Sequence, residues 1–371
     1  MTKIQLLHVT SSLKVGGAET LLCDLINTMD GQKFEHHVIY FHDGPHSDCL
    51  KKAGVPTYHI KGAIALYDPI FFKRLYTTIK KINPDCMHTQ LWAANNTGRV
   101  IARMLNIPIV CALHNKVSQD GFLRNSIDRC TTRFADAFIA ISPNVATSLT
   151  TRSTWISPAR ITIIPNGVDG ALLHTKAAHE NVERASLGLT PEHFVIGSVG
   201  RFVPIKQYDI MLKAFALVHQ QAPHARLMLV GLGPLEQQLR QQAQELGISA
   251  QVIFIIDQPA YRYYPLFDCF SLAYNQEGIS VALLEAMSFN LPCVIADVDP
   301  THMVLKHEFN GLLIPTATPQ ALAQNYLRLI QDPGLSQQLG IHARDTVENN
   351  FSFKKMLHAY EALFQETVQC H

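Results

Sequence analysis

Short apolar runs rich in β-branched residues alternate along this chain with segments of helix length, for example Ala18–Met29, Pro69–Ile82 and Leu235–Leu246. Strands that are apolar throughout are typical of parallel sheets covered by helices on both faces. The predicted strands are KIQLLHV, HHVIYF, DCMHT, IPIVCAL, DAFIAIS and RITIIP in the first half, then HFVIGSVG, ARLMLVG, QVIFII, DCFSLAY, PCVIAD and GLLIP. We therefore predict an α/β chain with two doubly wound, Rossmann-like parallel-sheet domains facing each other across a cleft.

The series of strands and helices is interrupted once, at residues 163–190. Pro165, Asn166 and Gly167 end a strand in a turn, and loosely patterned residues follow until a new strand opens near His193. We predict an N-terminal domain over residues 1–168, a linker over 169–189 and a C-terminal domain over 190–350. A length of 371 residues is enough for two cores.

The composition limits the class of protein. Hydrophobic residues make up 47% and charged residues 16%, which suits a compact globular chain. No apolar run approaches a membrane span, and the start lacks a signal-peptide pattern. The eight cysteines form no CxxC pair, which predicts reduced core thiols and a cytoplasmic location. The histidines form no HExxH motif either, so no metal site is expected. No nucleic-acid partner is expected.

The first candidate site is the segment SSLKVGGAETLLCDLI, directly after the first strand. Gly16 and Gly17 allow a ligand to approach the backbone closely, and the helix that follows points N–H groups at it, which favours an anion. The segment is neither a P-loop nor a dinucleotide fingerprint. The alternative is a plain strand–helix turn.

The second candidate site is GSVGRFVPIKQ, after the first strand of the second half. Arg201 and Lys206 would lie at the carboxyl end of that strand, where a guanidinium fork and an ammonium could hold one diphosphate. The alternative is a solvated loop with two basic residues.

The third candidate site is NQEGISVALLEAMSFNLP, which places Glu277 and Glu285 in an otherwise apolar stretch. Ser280 is predicted to cap a helix over Val281–Ser288, so that N–H groups of Gly278, Ile279 and Ser280 can meet a phosphate or sugar oxygen. Glu285 could accept hydrogen bonds from a ribose diol, and Glu277 from a sugar hydroxyl. The alternative is two solvent-facing carboxylates.

Two further features have weaker signals. His114, in CALHNK, ends a strand of the first half, and His88 does so less clearly; ordinary strand-end histidines are the alternative. Residues 68–84 form an amphipathic basic helix in a half that carries 18 Lys and Arg against 12 Asp and Glu. That helix could contact an anionic membrane peripherally or simply pack on its sheet.

Together these segments resemble family 4 of the glycosyltransferases, the retaining enzymes of GT-B fold. The resemblance covers nearly the whole chain and is carried by VGGAE, LHN, IPNGVD, GRFVPIK, GLGP, EGISVALLEAM and NGLLIP. It implies that Arg201 and Lys206 hold the donor diphosphate and stabilise its charge as it leaves. It also implies that Glu285 binds the ribose and that Glu277, with the N–H groups after it, holds the transferred sugar.

The resemblance assigns roles in the first half as well. It implies that Gly16 and Gly17 approach the phosphate or acceptor, that His114 lies near the reacting carbon, and that a C-terminal helix over residues 352–371 packs back on the first domain. It also implies that no metal or other cofactor is needed. The chain departs from the family pattern at Tyr274-Asn275, Asn290, Asp299-Pro300 and Met303.

The expected function is therefore transfer of a hexose-type sugar from a nucleoside diphosphate donor, UDP in preference to GDP. The expected acceptor is a glycan or lipid-linked sugar of envelope or extracellular polysaccharide synthesis. Two alternatives remain open at this point. One is a non-catalytic nucleotide-sugar-binding protein of GT-B fold, and the other is a nucleotide-sugar 2-epimerase.

Overall fold

The computed structural model describes residues 2–14, 16–62, 68–114, 122–153, 156–274 and 279–371, without the side chains of residues 122, 123, 152, 299 and 300. Within these ranges the contacts divide the chain into two units. The first comprises Met1–Pro165 with Met356–His371, and the second Asn166–Lys355.

The first unit is built on a parallel sheet that has seven strands in the described part of the chain. Its strand order is β3-β2-β1-β4-β5-β6-β7, so the winding direction reverses between β1 and β4. The strands are β1 (Ile4–Ser12), β2 (Phe34–His42), β3 (Thr57–His59), β4 (Cys86–Gln90), β5 (Ile109–Leu113), β6 (Ala137–Ala140) and β7 (Ile161–Ile163). Ligands of such sheets bind beyond the carboxyl ends of the strands at this reversal.

The second unit repeats this plan with six parallel strands among the residues described. The order is β10-β9-β8-β11-β12-β13, and the reversal lies between β8 and β11. These strands are β8 (Phe194–Val199), β9 (Ala225–Gly231), β10 (Val252–Ile256), β11 (Cys269–Leu272), β12 (Cys293–Ala296) and β13 (Leu312–Ile314). The predicted two parallel-sheet architecture is confirmed. One edge strand, β3, was not predicted.

Helices cover the faces of both sheets. They are α1 (Gly17–Thr28), α2 (Pro45–Lys52), α3 (Pro69–Ile82), α4 (Trp92–Leu105), α5 (Phe122–Thr131), α6 (Pro143–Arg152), α7 (Gly170–His179), α8 (Tyr208–Gln221), α9 (Glu236–Glu245), α10 (Val281–Ser288), α11 (Pro319–Gln331), α12 (Pro333–Asn350) and α13 (Phe353–Gln369). Central strands are buried on both faces, as in β4 and β12. The sheets and the inner faces of the helices therefore make up the two cores.

Helix α3 shows how local sequence sets an element and its packing. The Asp68 carboxylate accepts a hydrogen bond from the backbone N–H of Ile70, and Asn83 ends the helix in a left-handed conformation. The apolar stripe of the helix lies in the core, with Phe71, Leu75 and Ile79 at most 1% exposed. The stripe therefore packs on the sheet, and the basic residues of the helix remain at the surface.

The segment expected to be a linker, residues 169–189, contains α7 and a 3-10 turn, Arg184–Leu187, and contacts the second unit. The Asp169 carboxylate caps α7 by accepting a hydrogen bond from the backbone N–H of Leu172. The helix begins there although the sequence shows no helical spacing of apolar residues. The division between the units accordingly falls at Pro165, earlier in the chain than the predicted boundary of 168.

Most of helix α13 packs on the first unit. The Glu361 carboxylate accepts a hydrogen bond from the backbone N–H of Asp30, with an N–O distance of 3.2 Å. The rings of Tyr360 and Phe364 lie 5.9 and 5.4 Å, between centroids, from the ring of His88. All eight cysteines are free thiols, and five of them are buried.

Candidate active site

In the second unit, the loop after β8 is held by close backbone packing. Gly231, at a φ of +159°, lies so near the carbonyl oxygen of Gly200 that a Cβ would overlap it. The buried Phe202 donates its N–H to the carbonyl of Leu232 at 2.9 Å. This packing fixes the loop at the carboxyl edge of the sheet and leaves Arg201 exposed there.

Lys206 ends a 3-10 turn, Pro204–Lys206, in the same loop. Its Nζ lies 5.6 Å from the centroid of the Tyr274 ring, which is a cation–π distance. The Tyr274 hydroxyl is 3.3 Å from Oγ1 of Thr301 in the loop after β12. Tyr274, where the chain departs from the family pattern, thus contacts Lys206 and, through Thr301, the loop that contains the departures at Asp299-Pro300 and Met303.

Glu285 lies in the second turn of α10, and its carboxylate is held in place. Its Oε2 accepts a hydrogen bond from the hydroxyl of the fully buried Tyr264 at 2.7 Å. Burial and the negative charge of Glu285 hold the pKa of Tyr264 well above its usual value, so the phenol remains a donor. The sequence analysis did not find Tyr264, because it precedes its partner by 21 residues and belongs to no motif.

The start of α10 is positioned by Asn166, whose side-chain amide donates to the carbonyl of Ile279 at 2.9 Å. Ser280 occupies the predicted N-cap position and is buried, but its side chain makes no capping hydrogen bond. The N-cap position of Ser280 is therefore predicted correctly, but the capping hydrogen bond from its side chain is not. Glu277 and Gly278 lie outside the described residues.

Because β8 and β11 are neighbours, the Arg201–Lys206 loop and the start of α10 leave the sheet side by side. Ile279, Ser280 and Glu285 therefore follow the strand next to the one that carries the two cations. This is the reversal point of the second sheet, where a ligand of such a fold binds.

The first unit has its own group of residues at the reversal between β1 and β4. Gly16 caps α1 with an extended backbone, and Gly17 is the first helical residue. The Glu19 carboxylate lies in the space that a side chain at position 16 would need. An acidic group already accompanies this helix N-terminus, which disfavours a phosphate there and favours a neutral hydroxyl ligand.

His114 follows β5 on the same edge. Its Nε2 is 3.2 Å from Oε1 of Gln90, the last residue of β4. Burial lowers the pKa of His114 to about 4, so the imidazole is neutral at pH 7. Gln90, which the sequence analysis missed, also hydrogen bonds to the carbonyl of Ala18 beside the glycine pair. The structure thus joins His114 to the Gly16–Gly17 segment.

His88 belongs to a different environment. It is 1% exposed, and its Nδ1 lies 3.0 Å from Nδ1 of His8, whose Nε2 lies 3.0 Å from Nδ1 of His36. These residues form a row of three histidines below helix α13, in which His8 and His88 are buried and His36 is half-buried. His88 therefore lies in the middle of β4 and within this row, not at the end of the strand as both interpretations of the sequence assumed.

Comparison with known families agrees with this arrangement. Residues 15–171 match the model described as glycosyltransferase family 4, and residues 179–346 match the one described as glycosyl transferases group 1. The chain belongs to family 4 of the glycosyltransferases. The predicted enzyme class, a hexosyltransferase, is confirmed by this membership.

Individual relatives of this glycosyltransferase are distant but match along their length. The UDP-Gal:alpha-D-GlcNAc-diphosphoundecaprenol alpha-1,3-galactosyltransferase of Escherichia coli is 24% identical over 99% of this chain and 98% of its own. Among solved structures, Anabaena HepE in complex with UDP-glucose has a TM-score of 0.85 and a sequence identity of 21%. The match covers 98% of this chain and 100% of the HepE chain.

A third protein, the sucrose-phosphate synthase of Thermosynechococcus elongatus, has a TM-score of 0.80 at 19% identity, over 99% of this chain and 100% of its own. With the two parallel sheets, these likenesses confirm the predicted GT-B fold class. Among the described residues of the enzyme, no helix is both long enough and apolar enough to cross a membrane.

Proposed function

We propose that this chain is a retaining glycosyltransferase that moves a hexose-type sugar from a nucleoside diphosphate donor, UDP in preference to GDP, to a glycan or lipid-linked acceptor. The observation that carries the proposal is the placement of Arg201 and Lys206 in the loop after β8, while the helix that holds Glu285 follows the neighbouring strand β11. A diphosphate needs cations and a ribose diol needs an acceptor pair, and these residues supply both.

On the donor side, the chemistry breaks the bond between the anomeric carbon and the diphosphate. Negative charge collects on the leaving diphosphate, where a preorganised guanidinium and ammonium are most effective. The ring of Tyr274 supports Lys206, and Tyr264 fixes the Glu285 carboxylate. Two relatives support a UDP-linked donor: the E. coli enzyme is named for UDP-Gal, and HepE has been crystallised in complex with UDP-glucose.

On the acceptor side, the acceptor hydroxyl forms the new bond to the anomeric carbon, and its proton leaves with the diphosphate. Glu19 beside Gly16 suits a ligand hydroxyl, and the neutral His114 is suited to hydrogen bonding with the sugar. The E. coli relative is named for a diphosphoundecaprenol-linked acceptor, which supports a lipid-linked sugar of envelope or extracellular polysaccharide synthesis.

We propose that transfer requires no metal ion, because Arg201 and Lys206 would supply two positive charges to the diphosphate. The test of the whole proposal is a thermal-shift screen against nucleotide sugars, followed by product analysis with an excess of chelator. Sugar transferred with the anomeric configuration kept supports the proposal. A donor that is bound but unchanged indicates the non-catalytic binder, and an isomerised donor indicates the 2-epimerase.

Glu285→Ala is expected to weaken UDP binding about 10- to 100-fold, the range for losing hydrogen bonds to one charged group. Tyr264→Phe is expected to weaken it about fivefold, because the carboxylate stays but is no longer held. Calorimetry with UDP and GDP measures both effects. Glu245→Ala, on the exposed surface of α9, is the control. Wild-type affinity in Glu285→Ala would contradict the ribose assignment.

We propose, separately, a weak peripheral contact with anionic membrane. The apolar stripe of α3 is occupied by the core, so the contact would be electrostatic, through the exposed Lys73, Arg74, Lys80 and Lys81. Flotation with anionic liposomes is expected to show binding at low salt that is lost at high salt. The quadruple change of these residues to glutamine is expected to abolish it. No binding, or binding that ignores salt, would rule out this contact.

A further inference from the structure

The strongest unassigned feature is the buried side chain of Gln90, which is 2% exposed and lies between three partners. Its Nε2 is 3.3 Å from Oγ1 of Thr10 and 3.4 Å from the carbonyl oxygen of Ala18. Its Oε1 is 3.2 Å from Nε2 of His114. One amide therefore connects the ends of β1, β4 and β5 with the first turn of α1.

The partners determine which way the amide faces. The carbonyl of Ala18 can only accept a hydrogen bond, so the group that faces it must be the NH₂ of Gln90. The Thr10 hydroxyl donates its proton to the carbonyl of Ser12 at 3.1 Å, so it too presents lone pairs to Gln90. Both contacts require the same orientation, which leaves Oε1 for His114.

This orientation in turn determines the state of His114. An amide oxygen has no proton to give, so the ring nitrogen that meets it must carry one. His114 is neutral at pH 7, since burial lowers its pKa to about 4. With the proton on Nε2, the lone pair of the imidazole is on Nδ1. Nδ1 is then an acceptor, and a sugar hydroxyl is the kind of group that donates to it.

We propose that Gln90 is a positioning residue that holds His114 as the Nε2–H tautomer, so that Nδ1 can accept a hydrogen bond from a hydroxyl of the transferred sugar or acceptor. The ligand part of this proposal rests on the proposed function. The tautomer itself rests only on the contacts within the first unit. Gln90 touches no substrate and acts through His114.

The tautomer is tested by nitrogen-15 NMR of the histidine rings at pH 7, with His114 assigned by its loss in His114→Gln. The wild-type enzyme is expected to show the Nε2–H pattern at His114, and Gln90→Met a mixture of tautomers. Asn96→Leu, which removes another buried amide of the first unit, is expected to leave His114 unchanged. An Nδ1–H pattern at His114 in the wild type would overturn the proposal, whether or not Gln90→Met folds.

Kinetics tests whether Gln90 acts through His114. Gln90→Met is expected to lower kcat about tenfold with little change in the KM for donor, the size of one hydrogen bond. In a His114→Ala background the same change is expected to have no further effect. A tenfold loss in that background as well would mean a merely structural role. If the enzyme transfers no sugar at all, the proposed function fails, yet the NMR result still decides the tautomer.

Discussion

Arg201→Ala and Lys206→Ala are each expected to lower kcat by about 10²–10³, the range measured when an enzyme loses one preorganised group that stabilises transition-state charge. Both cations lie in one short loop that is held against the neighbouring strand by Phe202 and Gly231. The backbone that carries both cations is therefore in place before the donor arrives. Because charge on the diphosphate increases as the glycosidic bond breaks, the loss should fall on kcat more than on the KM for donor.

The conservative variants separate charge from shape. Arg201→Lys keeps the charge but loses the fork, so partial activity is expected. Lys206→Met keeps the stem over Tyr274 and loses the charge, so it should resemble Lys206→Ala. Lys213→Ala, an exposed cation on α8, is the matched control and should turn over at the wild-type rate. Steady-state kinetics with a nucleotide sugar decides; wild-type turnover in both alanine variants would refute the assignment of the diphosphate site.

The positions that the sequence located well are those with a local signal. Asp68 and Asn83 mark both ends of α3, and the structure begins and ends that helix where the pattern predicted. Asn290, where the chain departs from the family pattern, takes a left-handed conformation with a φ of +58°, which asparagine tolerates. Edge strand β3 was missed because its three residues are only half-buried and carry no apolar run.

The residues that the sequence analysis missed act over long sequence separations. Tyr264 holds Glu285 from 21 residues away, and Gln90 meets His114 across 24 residues. Each pair forms only because segments distant in the chain meet in the folded unit: the turn before β11 meets α10, and the ends of β4 and β5 lie side by side. A motif search finds Glu285 and His114, while Tyr264 and Gln90, the residues that orient them, become visible only in the folded chain.

Acid is expected to destabilise the first unit well before its carboxylates titrate. His8, His36 and His88 form the histidine row beneath α13, and loss of solvation lowers the pKa of His36 to about 4 and that of His88 to about 3. In the unfolded chain these histidines titrate near 6.5, so between those pH values the unfolded state binds more protons. Stability is therefore complete above about pH 6.5 and falls as the pH drops toward 4, by about 1.4 kcal/mol per pH unit for each histidine.

Hydrogen exchange of the amides in β1, β2 and β4 between pH 8 and pH 4.5, corrected for the intrinsic rate, measures this loss in the first unit alone. His36→Gln is the informative variant, because glutamine can still hydrogen bond to His8 but cannot titrate. In this variant the stability of the first unit should fall less steeply with decreasing pH, because one of the three titrating histidines has been removed. His42→Gln, at the exposed end of the same strand β2, is the control and should keep the full wild-type slope.

Since the rings of Tyr360 and Phe364 pack against His88, the protection of α13 should decline together with that of the sheet. A helix that kept its protection at pH 4.5 would show that the histidine row does not hold it.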